Sequence, residues 1–126
     1  MELRSPLSKA LGLGSAKHGV HHWWVQRLTA VALVPLTLWL GIVVAKFPGV
    51  RYEDAVQWLG QPWNSALLVA FLVATFYHAT LGVQVIIEDY VHTPWLKTAT
   101  LLGVKLILMF LALASLVATL RIAITG

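Results

Sequence analysis

From Ser65 to Tyr90 the chain reads SALLVAFLVATFYHATLGVQVIIEDY, and from Ser65 to Ile87 it holds no Lys, Arg, Asp or Glu. His78 and Gln84 are the strongly polar members of that run. A helix rises about 1.5 Å per residue and a bilayer's hydrocarbon core is about 30 Å thick, so roughly 20 residues cross it. Working outward, two more stretches qualify. Leu28 to Ala45 carries no charge, and about Thr98 to Ile124 has Lys105 near its start and Arg121 near its end. In lipid the backbone must satisfy its own hydrogen bonds, so all three are expected to be helices. The fold class is therefore all-α integral membrane, with three transmembrane helices over about residues 25–47, 63–90 and 97–124. They follow a cytoplasmic N-terminal segment, 1–24, within a single membrane-anchor domain, 1–126.

Composition agrees. Of the 126 residues, 59% are apolar and 11% charged, where an average soluble domain has about 45–50% and about 25%. These figures exclude a water-soluble globule and a disordered chain. With no Cys there is no disulfide framework, thiolate metal site or Cys nucleophile. The net charge of +4 comes from nine Lys and Arg against five Asp and Glu. In a membrane protein this excess reports topology, so no nucleic-acid partner is expected; the surrounding partner is lipid.

Between the spans, Lys46 to Val50 breaks the first helix and contains Pro48-Gly49. Tyr52 to Leu59 reads as a short interfacial helix with Trp58 near the headgroups, ended by Gly60-Gln61-Pro62. Trp63 follows as an anchor, and Asn64 is placed to cap the second helix. Val91-His92-Thr93-Pro94 turns the chain before the third. Trp39, Trp58 and Trp95 read as packing or anchor residues, and Pro35 is expected to kink the first helix unless a neighbour compensates. The N-terminal segment and the second–third loop share Arg4, Lys9, Lys17, Arg27, Lys97 and Lys105, against Lys46, Arg51 and Arg121 on the other side. That bias puts the N-terminus in the cytoplasm. The apolar run starts too late, and is too long, for a signal peptide. The bacterial inner membrane is preferred over the mitochondrial inner membrane, although the Arg, Lys and Ser residues before residue 18 faintly suggest a transit peptide.

His78 lies about 18–20 Å from either end of its span, near the bilayer midplane. Ionisable residues at that depth are functional candidates. The plain alternative is a neutral imidazole hydrogen-bonded to a neighbouring helix. Its helical neighbours are Ala74, Thr75, Leu81 and Gly82, three of them small. A haem needs an imidazole with cleared space beside it; small residues also serve close helix packing. His18, His21, His22 and His92 all lie near or beyond the cytoplasmic ends of the spans. If His78 holds a six-coordinate haem b, the second ligand must come from another chain.

Asp89 is eleven residues beyond His78, three turns on and nearly the same face. With Tyr90 it could give a quinone a hydrogen-bond donor and a proton route, although Tyr is also common in the aromatic belt. Arg27, at the entrance of the first span, is the cation type that best pairs a carboxylate such as a haem propionate. The rival reading is a positive-inside anchor beside Trp23 and Trp24.

Three pieces together resemble the hydrophobic membrane anchor, or D, subunits of succinate dehydrogenase (respiratory complex II). These are the run Ser15-Ala16-Lys17-His18-Gly19-Val20-His21-His22-Trp23-Trp24-Val25-Gln26-Arg27-Leu28-Thr29-Ala30, His78 with Gly82, and Asp89-Tyr90-Val91-His92 at eleven to fourteen residues beyond His78. The resemblance covers about residues 15 to 126. It implies a heterodimeric haem-binding helical bundle in which His78 is one axial ligand of haem b and a second anchor, the cytochrome b subunit, gives the other. It implies that Tyr90 hydrogen-bonds ubiquinone with support from Asp89, that His21 and Arg27 lie near the haem propionates, and that Trp24 neighbours the quinone pocket. Glu88 receives no role. An iron–sulfur subunit and a flavoprotein subunit would complete a complex that passes electrons from succinate to ubiquinone, this chain being a non-catalytic subunit. The rivals are an anchor of another quinone-linked enzyme, such as fumarate reductase, and a cofactor-free scaffold.

Overall fold

Two prolines set two of the helix starts. Pro62 and Pro94 each occupy the first turn, where a missing N–H costs nothing because that donor has no partner inside the helix. The computed structural model describes residues 6–7 and 17–126. Its helices are α1 (Lys17–Ala45), α2 (Tyr52–Gly60), α3 (Pro62–Tyr90) and α4 (Pro94–Thr125). Three of them are long and apolar enough to cross a membrane, over Val20–Ala45, Pro62–Tyr90 and Pro94–Thr125. Arg4 and Lys9 of the charge bias, and Ser15-Ala16 of the motif run, lie outside the described residues.

The first span belongs to a helix that begins at Lys17, so Trp23 and Trp24 are helical. α1 continues unbroken through Pro35, which withholds the N–H that Val31 would otherwise accept. At its end the Val50 N–H donates to Phe47 O at 3.0 Å. Pro48 and Gly49 occupy the middle of that turn, Gly49 at φ +80. This is the Pro-Gly pattern of a type II turn, whose third position requires positive φ. The Arg51 N–H then donates to Asp54 Oδ2 at 3.4 Å as α2 begins.

α2 is held against the bundle by aromatic packing. Trp58 stacks on Trp39 of α1 with ring centroids 5.8 Å apart, and Phe47 meets it edge-on at 5.7 Å. Its ring is thus half-buried in packing, one of the two roles read from the sequence. Asn64 does not cap α3, because that helix already starts at Pro62. Instead its Nδ2 donates to Trp58 O at 2.9 Å and closes the α2–α3 corner. Truncation to Ala at Trp58 should therefore cost about 2–4 kcal/mol. It should appear as a lower unfolding temperature of the detergent-solubilised protein, with Trp58→Phe losing less.

α3 is the central helix. It packs on α1 along one side and on α4 along another, while among the described residues the backbones of α1 and α4 do not approach each other closely. Among the described residues, three of the four buried apolar ones, Ala74, Leu81 and Ile87, are on α3; the other is Leu59 of α2. The result is an open row of three spans with much uncovered apolar surface. Along α1 the exposed Trp24, Leu28, Val31, Leu38 and Ile42 follow the 3–4 residue spacing of a single helix face. Lipid or other chains must cover such surface.

Candidate functional site

The α1–α3 seam brings together two polar side chains at the same depth. Thr29 lies sixteen residues before the end of α1 (29 to 45), and His78 lies sixteen residues after the start of α3 (62 to 78). Both are about 24 Å from the connection between the helices. Antiparallel packing therefore places them level. Thr29 Oγ1 is 3.0 Å from His78 Nδ1. The same hydroxyl lies 2.9 Å from Val25 O and 3.0 Å from Gln26 O of its own helix. The expected alternative of an imidazole bonded to a neighbouring helix is thus realised at one ring nitrogen.

The other nitrogen differs. Among the described residues, Nε2 of His78 has no hydrogen bond, and it is not among the enclosed polar atoms that lack one. Thr75 Oγ1 alone is in that state, one turn before His78 on the same helix. The ring is half-buried. One nitrogen is bonded inside the chain and the other, among the described residues, is not. A Cβ built on Gly82, one turn beyond, meets nothing within 4 Å. An imidazole with a fixed Nδ1 and a free Nε2, beside a residue without a side chain, fits the requirement for axial ligation of a haem. No three His, Asp or Glu converge among the described residues. A haem iron held by a single imidazole of this chain would need no such cluster.

The remaining residues spread from this level toward one end of the bundle. Arg27 is two residues before Thr29, about 3 Å along the axis and about 200° around it, so it stands on the side of α1 away from the His78 ring. It is exposed, and its guanidinium lies over the Trp23 ring, 5.4 Å from the centroid. Trp23 in turn meets Trp24 edge-on at 5.0 Å. His21 is exposed about 12 Å nearer the start of α1. Asp89 and Tyr90 are exposed at the end of α3, about 16–18 Å from His78, and Tyr90 retains 77% of its accessibility. Among the described residues no hydrogen bond or ion pair joins Asp89, Tyr90, His21 or Arg27 to one another. Glu88, by contrast, is engaged, accepting from Gln84 Nε2 at 2.9 Å.

Between α3 and α4 runs a groove of about 450 Å³, lined by Thr80, Gln84, Lys105 and apolar side chains, with His22 of α1 among its walls. Neither the groove nor Thr29 was singled out by sequence reasoning. Counting residues back from the α1–α3 connection gives the level of Thr29, but not that its hydroxyl faces α3.

A chain with so few buried apolar side chains among its described residues and three membrane-length helices is an integral membrane protein. It belongs to the succinate dehydrogenase/fumarate reductase transmembrane subunit family, which matches residues 1–118. A succinate dehydrogenase hydrophobic membrane anchor subunit of Rickettsia bellii is 36% identical over 117 residues, covering 93% of this chain and 94% of the relative. One of the same description from Paracoccus denitrificans is 33% identical over 104 residues, covering 82% and 81%. A succinate dehydrogenase membrane anchor subunit of Reclinomonas americana is 37% identical over 87 residues, covering 67% and 72%.

Proposed function

We propose that this chain is the membrane anchor subunit of a succinate dehydrogenase in a bacterial inner membrane, with its N-terminus cytoplasmic. It holds one side of a haem b shared with a second anchor subunit and forms part of a ubiquinone-reduction site. The observation that carries the reading is the His78 ring, level with mid-span, tied through Nδ1 and without a hydrogen bond at Nε2 among the described residues. Membership of the family and the names of the relatives support the anchor role.

When bound, haem supplies a one-electron site whose potential depends on its axial ligands and their surroundings. His78 would hold the iron from this chain through Nε2. Arg27 and His21, both exposed on the half of α1 nearest Lys17, are offered to propionates presented from outside the chain. Tyr90 donates its phenolic proton as a hydrogen bond to a quinone carbonyl at the membrane surface. Asp89, beside it and near water, hands on protons; Glu88 is the lesser candidate because Gln84 already occupies it. Trp24, exposed on α1, supplies an apolar wall. The soluble iron–sulfur and flavoprotein subunits dock at the cytoplasmic face, and succinate is oxidised there and not on this chain.

A visible spectrum of the purified, dithionite-reduced complex tests the haem. A b-type α-band is expected, and a colourless complex would return the chain to the scaffold reading. Tyr90→Phe tests the quinone site. Losing one hydrogen bond should slow quinone reduction by roughly 10-fold while succinate oxidation by an artificial acceptor stays unchanged. Equal loss of both activities would count against a local quinone role. Identification of the co-purifying soluble subunits separates succinate dehydrogenase from fumarate reductase.

A further inference from the structure

We infer that Thr29 is a positioning residue that fixes the tautomer and donor strength of His78; this rests on the haem reading above. The hydroxyl has one proton and two lone pairs. Its oxygen is 2.9 Å and 3.0 Å from the carbonyl oxygens of Val25 and Gln26, and 3.0 Å from His78 Nδ1. If the proton pointed at Nδ1, two oxygen–oxygen contacts at these distances would have no proton between them and would repel. Directed at the carbonyls, as a helical Thr ordinarily directs it, the proton relieves the closer contact and leaves a lone pair facing the imidazole. Nδ1 must then carry the ring proton and donate it to Thr29. Nε2 is left with its lone pair, the form that can bind iron.

Two consequences follow from this proton order. The ring cannot rotate about its χ2 without breaking the bond, so Nε2 keeps one direction. A hydrogen bond given by Nδ1–H also pushes electron density toward Nε2, which favours ferric over ferrous iron. Thr29 thereby links the α1–α3 seam to the haem without touching it.

The test uses the assembled complex carrying Thr29→Val, which keeps the shape and removes the hydroxyl, beside Thr29→Ser, which keeps the hydroxyl. Haem retention and midpoint potential are measured by dithionite titration of the α-band. Thr29→Val should release haem about 10- to 100-fold more readily and shift the midpoint upward. A tenfold loss of ferric preference corresponds to about 59 mV. Thr29→Ser should match the parent on both counts. Where Thr29→Val does not assemble, Thr29→Ala is read in the same way. A Val or Ala variant identical to the parent in both measurements overturns the inference, as does a Ser variant that shifts as far as Val. A parent complex without an α-band overturns the haem reading, and this inference with it.

Discussion

A complex carrying His78→Ala should assemble in the membrane and show no b-type α-band. Mutating a residue that merely orients a metal ligand typically costs about 10- to 100-fold in affinity, and removing the ligand itself should exceed that. Unfolding would not explain the loss. The only side-chain hydrogen bond that His78 makes among the described residues is the one to Thr29. Interhelical hydrogen bonds of this kind in membranes are worth about 0.6 to 2 kcal/mol. Thr29 keeps its two backbone acceptors when the ring is gone, so no polar group is stranded. The apolar seam around Ala74, Leu81 and Ile87 is untouched. A His78→Gly variant gives a sharper version, because free imidazole can enter the space left by the side chain. Return of the α-band on adding imidazole would tie the loss to ligation alone. An unchanged α-band in His78→Ala would rule out His78 as the ligand.

The spans were legible because a bilayer imposes a length and a polarity that apolar runs report directly. Their ends were not. Hydropathy measures the thickness of the hydrocarbon slab, whereas helices extend into the interface. α1 therefore starts at Lys17, and α3 and α4 start at prolines, all ahead of the most apolar residues. The depth of His78 and its register with Asp89 could be counted along one helix. The partner of its Nδ1 could not, because Thr29 is 49 positions away, and a helical Thr is ordinarily satisfied by its own backbone. The same limit hid the direction of Arg27. Spacing places it at the entrance of the first span, but only packing shows that α3 lies against the opposite side of α1. Periodicity also gave no sign that α1 and α4 stay apart. The order in which spans pack depends on complementary surfaces, and lipid is as apolar as the helices themselves.

Gly82→Leu should separate the two readings of the small residues around His78. If Gly82 clears room for a flat ligand, a Leu there blocks the face beside the imidazole and abolishes the α-band. If it serves only close helix packing, the damage falls on assembly. The chain itself should tolerate the change, because a Cβ at this position has no neighbour within 4 Å. Leu also ranks just below Ala as a helix former, whereas Gly is roughly 0.8–1.0 kcal/mol less favourable than Ala in aqueous hosts. Gly41 and Gly103 have the same open surroundings, so Gly41→Leu and Gly103→Leu control for a larger side chain on a span. The expected pattern is an intact, co-purifying complex for all three variants, with haem missing only from Gly82→Leu. Gly82→Ala should fall between, since one methyl fills less of the space. A complex that contains Gly82→Leu and keeps the parent's spectrum would place the ligand elsewhere on the chain's surface. Failure of the partner subunit to co-purify would assign Gly82 to a helix contact, leaving His78 and Thr29 alone to support the haem.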